Sequence, residues 1–470
     1  MTPLVWPTKD ILEATGGDLL SGGLETDFAG ISIDSRQIGR ADLFVAIKGE
    51  RFDGHDFIPE VLKTGVKGVV VEKAKIDKIP SDRSGGVVQV AVNDTIGALG
   101  ALAGWRRKAV PVKVAAITGS NGKTTTKEMT AAVLGRRFAV LATSGNHNNE
   151  IGLPLTLFGL CPGHQWAVLE MGMNHPGEIA RLAGISMPDI GVITNVGRSH
   201  LEGLGSVDAV AREKAEILGK LASGGTAVLN ADDPRVASIA GGTDKQVLFF
   251  GRSFSADVRA ENIESRENGT CFELILPRES IGVHLKMPGT FMVSNALAAA
   301  GVGFLAGLHA EEIKDALETV TPVKGRMDIL RIHSGAYLID DTYNSNPDSA
   351  EAAISALQSL NKTGRSALVF GDMLELGESA GLMHTRVGQA AGNHGVHALF
   401  LPGEFARDVA RGASEAGVPA RNIFAGSKEE MLHELKSWVR PGDWILVKGS
   451  RSTHMETIVN ALLYPDPCLR

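Results

Sequence analysis

The chain has 470 residues, more than one hydrophobic core usually serves, so about two to three domains are expected and a lone small module is excluded. Its 47 Lys and Arg against 54 Asp and Glu leave a net charge of −7, which offers no broad basic field and argues against nucleic acid as a partner. The three cysteines, Cys161, Cys271 and Cys468, are too scattered for a disulfide framework or a metal-type spacing and fit a reducing compartment.

The first residues, Met1-Thr-Pro-Leu-Val-Trp-Pro, lack a basic start and a long apolar stretch. No later run approaches the roughly 20 apolar residues of a membrane span. A cytoplasmic protein without a span, and a monomer, is expected. An N-terminal segment ends near Trp105-Arg-Arg-Lys108, where a basic stretch and Pro111 place a boundary near 110. Beyond it, apolar runs at 112–117, 166–170, 190–194 and 227–230 read as strands, and 124–134, 207–221 and 291–305 read as helices. That alternation predicts a parallel α/β sheet. A second break falls at Thr321-Pro-Val-Lys-Gly-Arg326, after which runs at 336–339, 367–370, 398–401 and 444–447 alternate with helical segments. The last unit reads as another doubly wound sheet, without the G-x-G-x-x-G pattern of a dinucleotide site.

The strand at 112–117 runs straight into Thr118-Gly-Ser-Asn-Gly-Lys-Thr-Thr125. Gly119 and Gly122 allow a tight turn, and a helix starting near Lys123 brings its positive dipole end to the same point, so the loop reads as a phosphate cradle. Ser120 and Asn121 lie within it. Lys123 would reach the β/γ-phosphates and the Thr124 hydroxyl a magnesium ion. Position 117 is Ile, so this is the shorter G-x-x-G-K-T form. ATP use is the first expectation.

Other clusters follow in chain order. Gly145-Asn-His-Asn-Asn-Glu-Ile-Gly-Leu-Pro154 concentrates Asn146, Asn148 and Asn149 between glycines, as in a loop that contacts a polar ligand. Glu170 ends a predicted strand, at the edge where open α/β sheets place ligands, and a carboxylate there suits magnesium. His200, in Thr194-Asn-Val-Gly-Arg-Ser-His-Leu-Glu202, follows another strand; on its own a loop histidine is more often polar surface. Arg212, Glu213, Lys214 and Glu216 read locally as a solvated helix face.

These clusters, in this order and spacing, resemble the Mur ligases, ATP-dependent amide-forming enzymes of peptidoglycan assembly. The resemblance runs through essentially the whole chain and includes Asp34-Ser-Arg36, Phe44-Val-Ala-Ile-Lys-Gly-Glu-Arg-Phe-Asp-Gly-His-Asp-Phe57, Leu169-Glu-Met-Gly172, His200-Leu-Glu-Gly203, Asp340-Asp-Thr-Tyr-Asn-Ser-Asn-Pro347 and Gly371-Asp-Met-Leu-Glu-Leu-Gly377. It implies an α/β protein of three domains. These are a UDP-muramoyl-substrate domain over 1–110, a central P-loop-type parallel-sheet ATPase domain over 111–322, and a C-terminal Rossmann-like doubly wound domain over 323–470. It implies that Glu170 and His200 help Thr124 hold magnesium, and that Lys214 is a lysine such enzymes carbamylate. A carbamate replaces an ammonium by an oxygen-bearing anion that can face a cation. For the nucleotide it points, besides the loop, to Asn295, Arg326 and Asp341. For the muramoyl substrate it points to Ser35, Arg36, Lys48 and the Arg51–His55 loop with Asp53, Gly54 and His55, and for the dipeptide to Asn344 and Asn346. One departure is Phe291-Met292, where the family usually has His-Asn.

The implied reaction joins D-alanyl-D-alanine to UDP-N-acetylmuramoyl-tripeptide through an acyl phosphate. The missing Ser–His–Asp or reactive-Cys pattern is consistent with that route. Lys123, His200, Glu170 and Lys214 are its expected catalytic set. Within the class, the alternative is a Mur-type or folylpolyglutamate-type ligase adding a single amino acid; the chain has no Asp-Asn-Pro-Arg motif for a diamino acid. Outside it, the alternatives are a kinase or a silent nucleotide-binding module.

Overall fold

The apolar run at 112–117 forms the strand Lys113–Thr118, buried from its second residue onward, and the computed structural model is organised around it. Residues 5–39, 42–80, 86–266, 268–361 and 364–464 are described, which leaves Cys468 outside. Among them, the strand sits within a nine-stranded sheet in the order Ser280–Leu285, Gly269–Ile275, Val258–Arg266, Gln246–Gly251, Thr226–Asn230, Ile190–Ile193, Lys113–Thr118, Trp166–Glu170, Val140–Ala142. From Val140–Ala142 to Val258–Arg266 every pairing is parallel; the last two strands add on antiparallel.

A parallel sheet has to be covered on both faces, and it is. On one side the helix Thr290–Leu305 lies against Lys123–Gly135 so closely that a Cβ on Gly303 would stand 2.5 Å from Val133 Cγ1. On the other, Glu178–Ser186 and Val207–Ala215 close a second apolar cluster built from Leu169, Leu182, Ile193 and Val210. The helical pattern at 207–221 stops at Ala215 and resumes only as a short 3-10 turn, Leu218–Lys220.

The C-terminal sheet runs Asp328–Arg331, Tyr337–Asp341, Trp444–Lys448, Ser366–Phe370, Ala398–Leu401, Ile423–Ala425, parallel except at its first pair. The last strand in sequence is thus inserted between the second and third. In the N-terminal unit, Asp18–Ser21, Val88–Val92, Gly68–Glu72, Asp42–Val45 and Gly30–Ser32 make a five-stranded sheet. The basic stretch near 105–108 is not a loop: it closes the helix Thr95–Ala109, where cations favour the helix C-terminus. Arg107 Nε donates to the Ser186 carbonyl at 2.9 Å, tying this helix to the central unit.

Central and C-terminal units meet through charge as well as apolar packing. Arg198 Nε donates to Asp348 Oδ1 (2.8 Å) and one terminal nitrogen to Asp348 Oδ1 (2.6 Å) and Glu351 Oε1 (3.0 Å). Both acids sit in the first turns of Pro347–Leu360, where the helix dipole also favours negative charge. Removing the guanidinium leaves two acids of one helix without the cation that ties them to the central unit across this seam. Arg198→Ala is therefore expected to loosen the docking of the C-terminal unit, read as a larger radius of gyration in small-angle scattering of the ligand-free protein; an unchanged profile would contradict it.

Candidate active site

Chain connections leave Lys113–Thr118 in opposite directions, first to the strands at 140–142 and 166–170 and then to 190–193, 226–230 and 246–251. Its carboxyl end is therefore the switch point of the sheet, where diverging loops open a crevice. The phosphate-loop segment fills that crevice. Gly119 has φ 151° and Gly122 φ 81°; a Cβ on the first would lie 1.8 Å from Thr194 Oγ1 and on the second 2.2 Å from Asn295 Oδ1. Only glycine meets both demands.

Much of the loop backbone is engaged by the neighbouring strand's loop. Ser120 N–H donates to the Asn195 carbonyl (3.0 Å) and Asn121 N–H to Asn195 Oδ1 (2.8 Å), while Thr194 Oγ1 and Asn195 Nδ2 donate back to the Asn121 carbonyl. Ser120 Oγ accepts from Gly197 N–H and from Ser199 Oγ, both at 2.9 Å. Inward-facing donors are thus concentrated at the start of Lys123–Gly135, whose first N–H groups have no i−4 carbonyl. Thr118 and Thr125 are buried beneath this turn. Lys123 Nζ folds back onto the Gly119 and Ser120 carbonyls, at 2.7 and 3.3 Å. Desolvation holds its pKa below the ordinary lysine value; Arg326 adds to that, while Glu170 and Glu375 oppose it.

Thr124 Oγ1 donates to Glu170 Oε2 and Asn148 Nδ2 to Glu170 Oε1, each at 2.8 Å. Glu170 is 2% exposed, and both of its carboxylate oxygens accept from neutral donors. A buried carboxylate beside a hydroxyl, with no cation bonded to it among the described residues, fits a divalent ion that prefers oxygen. His200, at φ 55°, turns its Nδ1 to Glu375 Oε2 at 2.7 Å. That bond holds the Glu375 carboxyl below its usual range.

The solvated face expected over 212–216 is not one at Glu213 and Lys214. Glu213 accepts from Gly177 and Ile179 N–H (2.9 and 3.0 Å), capping the helix Glu178–Ser186 from outside. Lys214 is 1% exposed, and burial, reinforced by the Lys123 charge, pushes its pKa well down. An amine that loses its proton is a nucleophile.

Lys123, Thr124, Glu170 and His200 line one cavity of about 1160 Å³ shared by the three units, whereas Glu213 and Lys214 are not part of its wall. Asn295 lies over Gly122 and accepts from Thr126 Oγ1, and Phe291 and Met292 form an apolar stretch of the wall beside it. Arg326 leaves its Nε buried without an acceptor and lays its guanidinium 4.1 Å from the Tyr343 ring centroid. Asp341 also lines the cavity, but its Oδ2 is taken by Lys448 Nζ at 2.5 Å. Lys448, missed in the sequence reading, announces itself only as a charge at the end of a predicted strand. Asn344 Oδ1 accepts from Ser345 N–H, and Asn346 caps Pro347–Leu360 while its Nδ2 donates to Asn121 Oδ1 at 2.7 Å. The second of these joins the phosphate loop to the C-terminal unit. Asn149 likewise caps the helix Gly152–Phe158, and Asn146 is exposed at the rim.

The N-terminal candidates are placed differently. His55 is buried: its Nε2 accepts from Glu72 N–H, so its Nδ1 carries the proton and donates to Asp53 Oδ1 at 2.6 Å. Asp53 also receives Lys75, and Gly54 lies where a Cβ would be 2.8 Å from the Ile47 carbonyl. This trio holds the loop in shape. Exposed Lys48 pairs by its backbone with Asp53, and Ser35 and Arg36 lie outside the cavity, Arg36 on Asp34. What the N-terminal unit brings to the cavity is Glu50 and Arg51.

Comparison with known proteins bears directly on this arrangement. Family models match the Mur ligase family catalytic domain at residues 27–115, the Mur ligase middle domain at 117–303 and the Mur ligase glutamate ligase domain at 325–451. The UDP-N-acetylmuramoyl-tripeptide--D-alanyl-D-alanine ligase of Escherichia coli (strain K12) is 37% identical over 458 residues, spanning 96% of this chain and 98% of the relative. The chain belongs to the Mur ligase family. Among solved structures, a crystal structure of MurF from Acinetobacter baumannii superposes on this Mur ligase with a TM-score of 0.90 at 34% identity, covering 98% of this chain and all of the other. MurF ligase from Thermotoga maritima in complex with ADP does so at 0.82 and 29% identity, over 92% and 96%.

In this Mur ligase, Gly122→Ala would push a methyl into Asn295 and strain a left-handed residue, at a cost of about 1–3 kcal/mol to the loop. Calorimetric titration with ADP is expected to show affinity reduced at least about tenfold. Wild-type affinity would contradict the fit.

Proposed function

We propose that this Mur ligase joins D-alanyl-D-alanine to UDP-N-acetylmuramoyl-tripeptide at the expense of ATP, giving ADP, phosphate and the UDP-N-acetylmuramoyl-pentapeptide. The observation that carries the reading is one cavity lined at once by Arg51 of the N-terminal unit, Lys123 of the central unit and Arg326 at the entry to the C-terminal unit. Three reactants need such a place, and orientation alone is worth about 7–11 kcal/mol of barrier. The division of labour at 110 and 322 belongs to the same proposal: the first unit receives the UDP end, the second the triphosphate, and the third the amine.

Lys123 and the first turn of Lys123–Gly135 hold the β- and γ-phosphates, with Arg326 facing the same charge through its unpartnered Nε. The tripeptide carboxylate attacks the γ-phosphorus, ADP leaves, and an acyl phosphate remains; the dipeptide amine then attacks its carbonyl carbon and phosphate departs. No side chain need become covalently attached. Thr124, Glu170, His200 and a carbamate on Lys214 would hold magnesium, which supplies neutralisation of the developing phosphoryl charge.

Lys214 is suited to carry that carbamate. Its neutral Nζ adds to the carbon of CO₂ and loses one proton, so a buried group of unfavourable charge becomes an anion facing a cation. The depressed pKa means that the reactive amine persists at pH values where an ordinary lysine is fully protonated.

Two experiments test the reading. Phosphate release with UDP-N-acetylmuramoyl-tripeptide and ATP is expected with D-alanyl-D-alanine and to fall at least about tenfold with free D-alanine, L-lysine or no amine. Equal release without the dipeptide would reject the assignment and favour a kinase or hydrolase. Lys214→Ala is expected to lose at least about a hundredfold in kcat, partly restored by added short carboxylic acids; full activity without them would remove the carbamate role.

A further inference from the structure

An incoming dipeptide whose amine sits at the acyl phosphate places its terminal carboxylate up to ~7 Å away, the extended reach of two residues. Taken partly out of water, that anion needs a cation of its own. Most cations around the cavity are already committed. Lys448 is neutralised by Asp341, Arg198 by Asp348 and Glu351, and His200 faces Glu375. Lys123 lies on the phosphate loop, and Arg326 acts on its charge directly.

Arg51 belongs to the N-terminal unit, which receives the UDP end in the reading above, whereas Arg451 stands on the C-terminal unit that receives the amine. The Arg451 side chain is 64% exposed at the cavity, and its nearest acid, Glu456 Oε1, is 3.8 Å away and shared with His454 at 3.5 Å. Its guanidinium lies 5.6 Å from the centroid of the Tyr343 ring, the ring over which Arg326 stacks at 4.1 Å. One aromatic side chain is therefore shared by the cation beside Lys123 and a second, loosely paired cation.

The loop presenting Arg451 is held firmly. Ser450 N–H donates to the Asp372 carbonyl (3.0 Å), Ser450 Oγ accepts from Leu374 N–H (2.9 Å), and Thr453 N–H returns to the Ser450 carbonyl (2.9 Å). A Cβ on Gly449 would stand 2.7 Å from Met455 Cγ, so this backbone crosses its neighbours at minimum distance. A fixed backbone beneath a guanidinium whose one acid is 3.8 Å away and shared with a histidine suits a receptor for a carboxylate. Resting on the ligase reading above, we propose that Arg451 receives the terminal carboxylate of the incoming dipeptide and so determines that a free acid is accepted.

The test compares kcat/KM for D-alanyl-D-alanine and its C-terminal amide in the wild type, Arg451→Ala and Arg451→Lys. The wild type is expected to prefer the acid by about 10- to 100-fold. In Arg451→Ala that ratio should fall to within about twofold of one while KM for ATP holds, and Arg451→Lys should lie between. The ratio is independent of how much variant folds. A wild type without preference, or an alanine variant keeping the wild-type ratio, overturns the assignment of Arg451 alone; a wild type that couples neither dipeptide overturns the ligase reading and this inference together.

Discussion

The hydrogen bonds that run both ways between Asn121 and the Thr194–Asn195 turn hold the phosphate loop open before any nucleotide arrives. A loop of two glycines would otherwise sample many conformations, and ordering it would cost binding energy. Here the adjacent strand's loop supplies the acceptors and donors, so the remaining free amides face one way at a helix start. Because Lys113–Thr118 and Ile190–Ile193 are neighbours in the sheet, this support follows from strand order and not from the loop's own sequence.

Charge compensation in the cleft is uneven, and the unevenness marks the chemistry. Asp341 with Lys448 and Arg198 with Asp348 and Glu351 are closed pairs whose removal would leave uncompensated charges in half-buried surroundings. Glu170, by contrast, is satisfied by neutral donors, and Lys214 is buried beside another lysine. Each of these two is costly to bury as it stands, and the magnesium and carbamate proposed above would relieve both. Structural pairs and reactive groups thus differ in whether the protein itself completes them.

The same seam that brings the C-terminal unit to the site also reads the phosphate loop. Asn346 is at once the cap of Pro347–Leu360 and a partner of Asn121, while Glu375 meets His200 from another loop of that unit. Docking and site assembly are therefore one event. Such coupling allows a reaction with a hydrolysable intermediate to proceed only when the units are together and water is excluded.

Local chemistry was legible where it depends on a few neighbouring residues. Glycine spacing before Lys123 marked the loop, apolar runs marked the strands at 166–170 and 398–401, and Glu170 at a strand end marked the ligand edge. Motifs from Asp34 to Gly377 carry the family resemblance in the sequence itself. Partners far apart in the chain were not legible. Glu213 and Lys214 look solvated in their own helix because nothing nearby shows that the helix Glu178–Ser186 will be laid against it. Asp341 looks free for the nucleotide because its partner arrives more than a hundred residues later, on a strand inserted beside it. Asp53, Gly54 and His55 look like a binding turn and instead brace one, since burial of the imidazole is set by the strand at 68–72. Propensity and spacing act over a turn or two of chain; which charges end up paired, buried or left over depends on sheet order, and sheet order is a property of the packed whole.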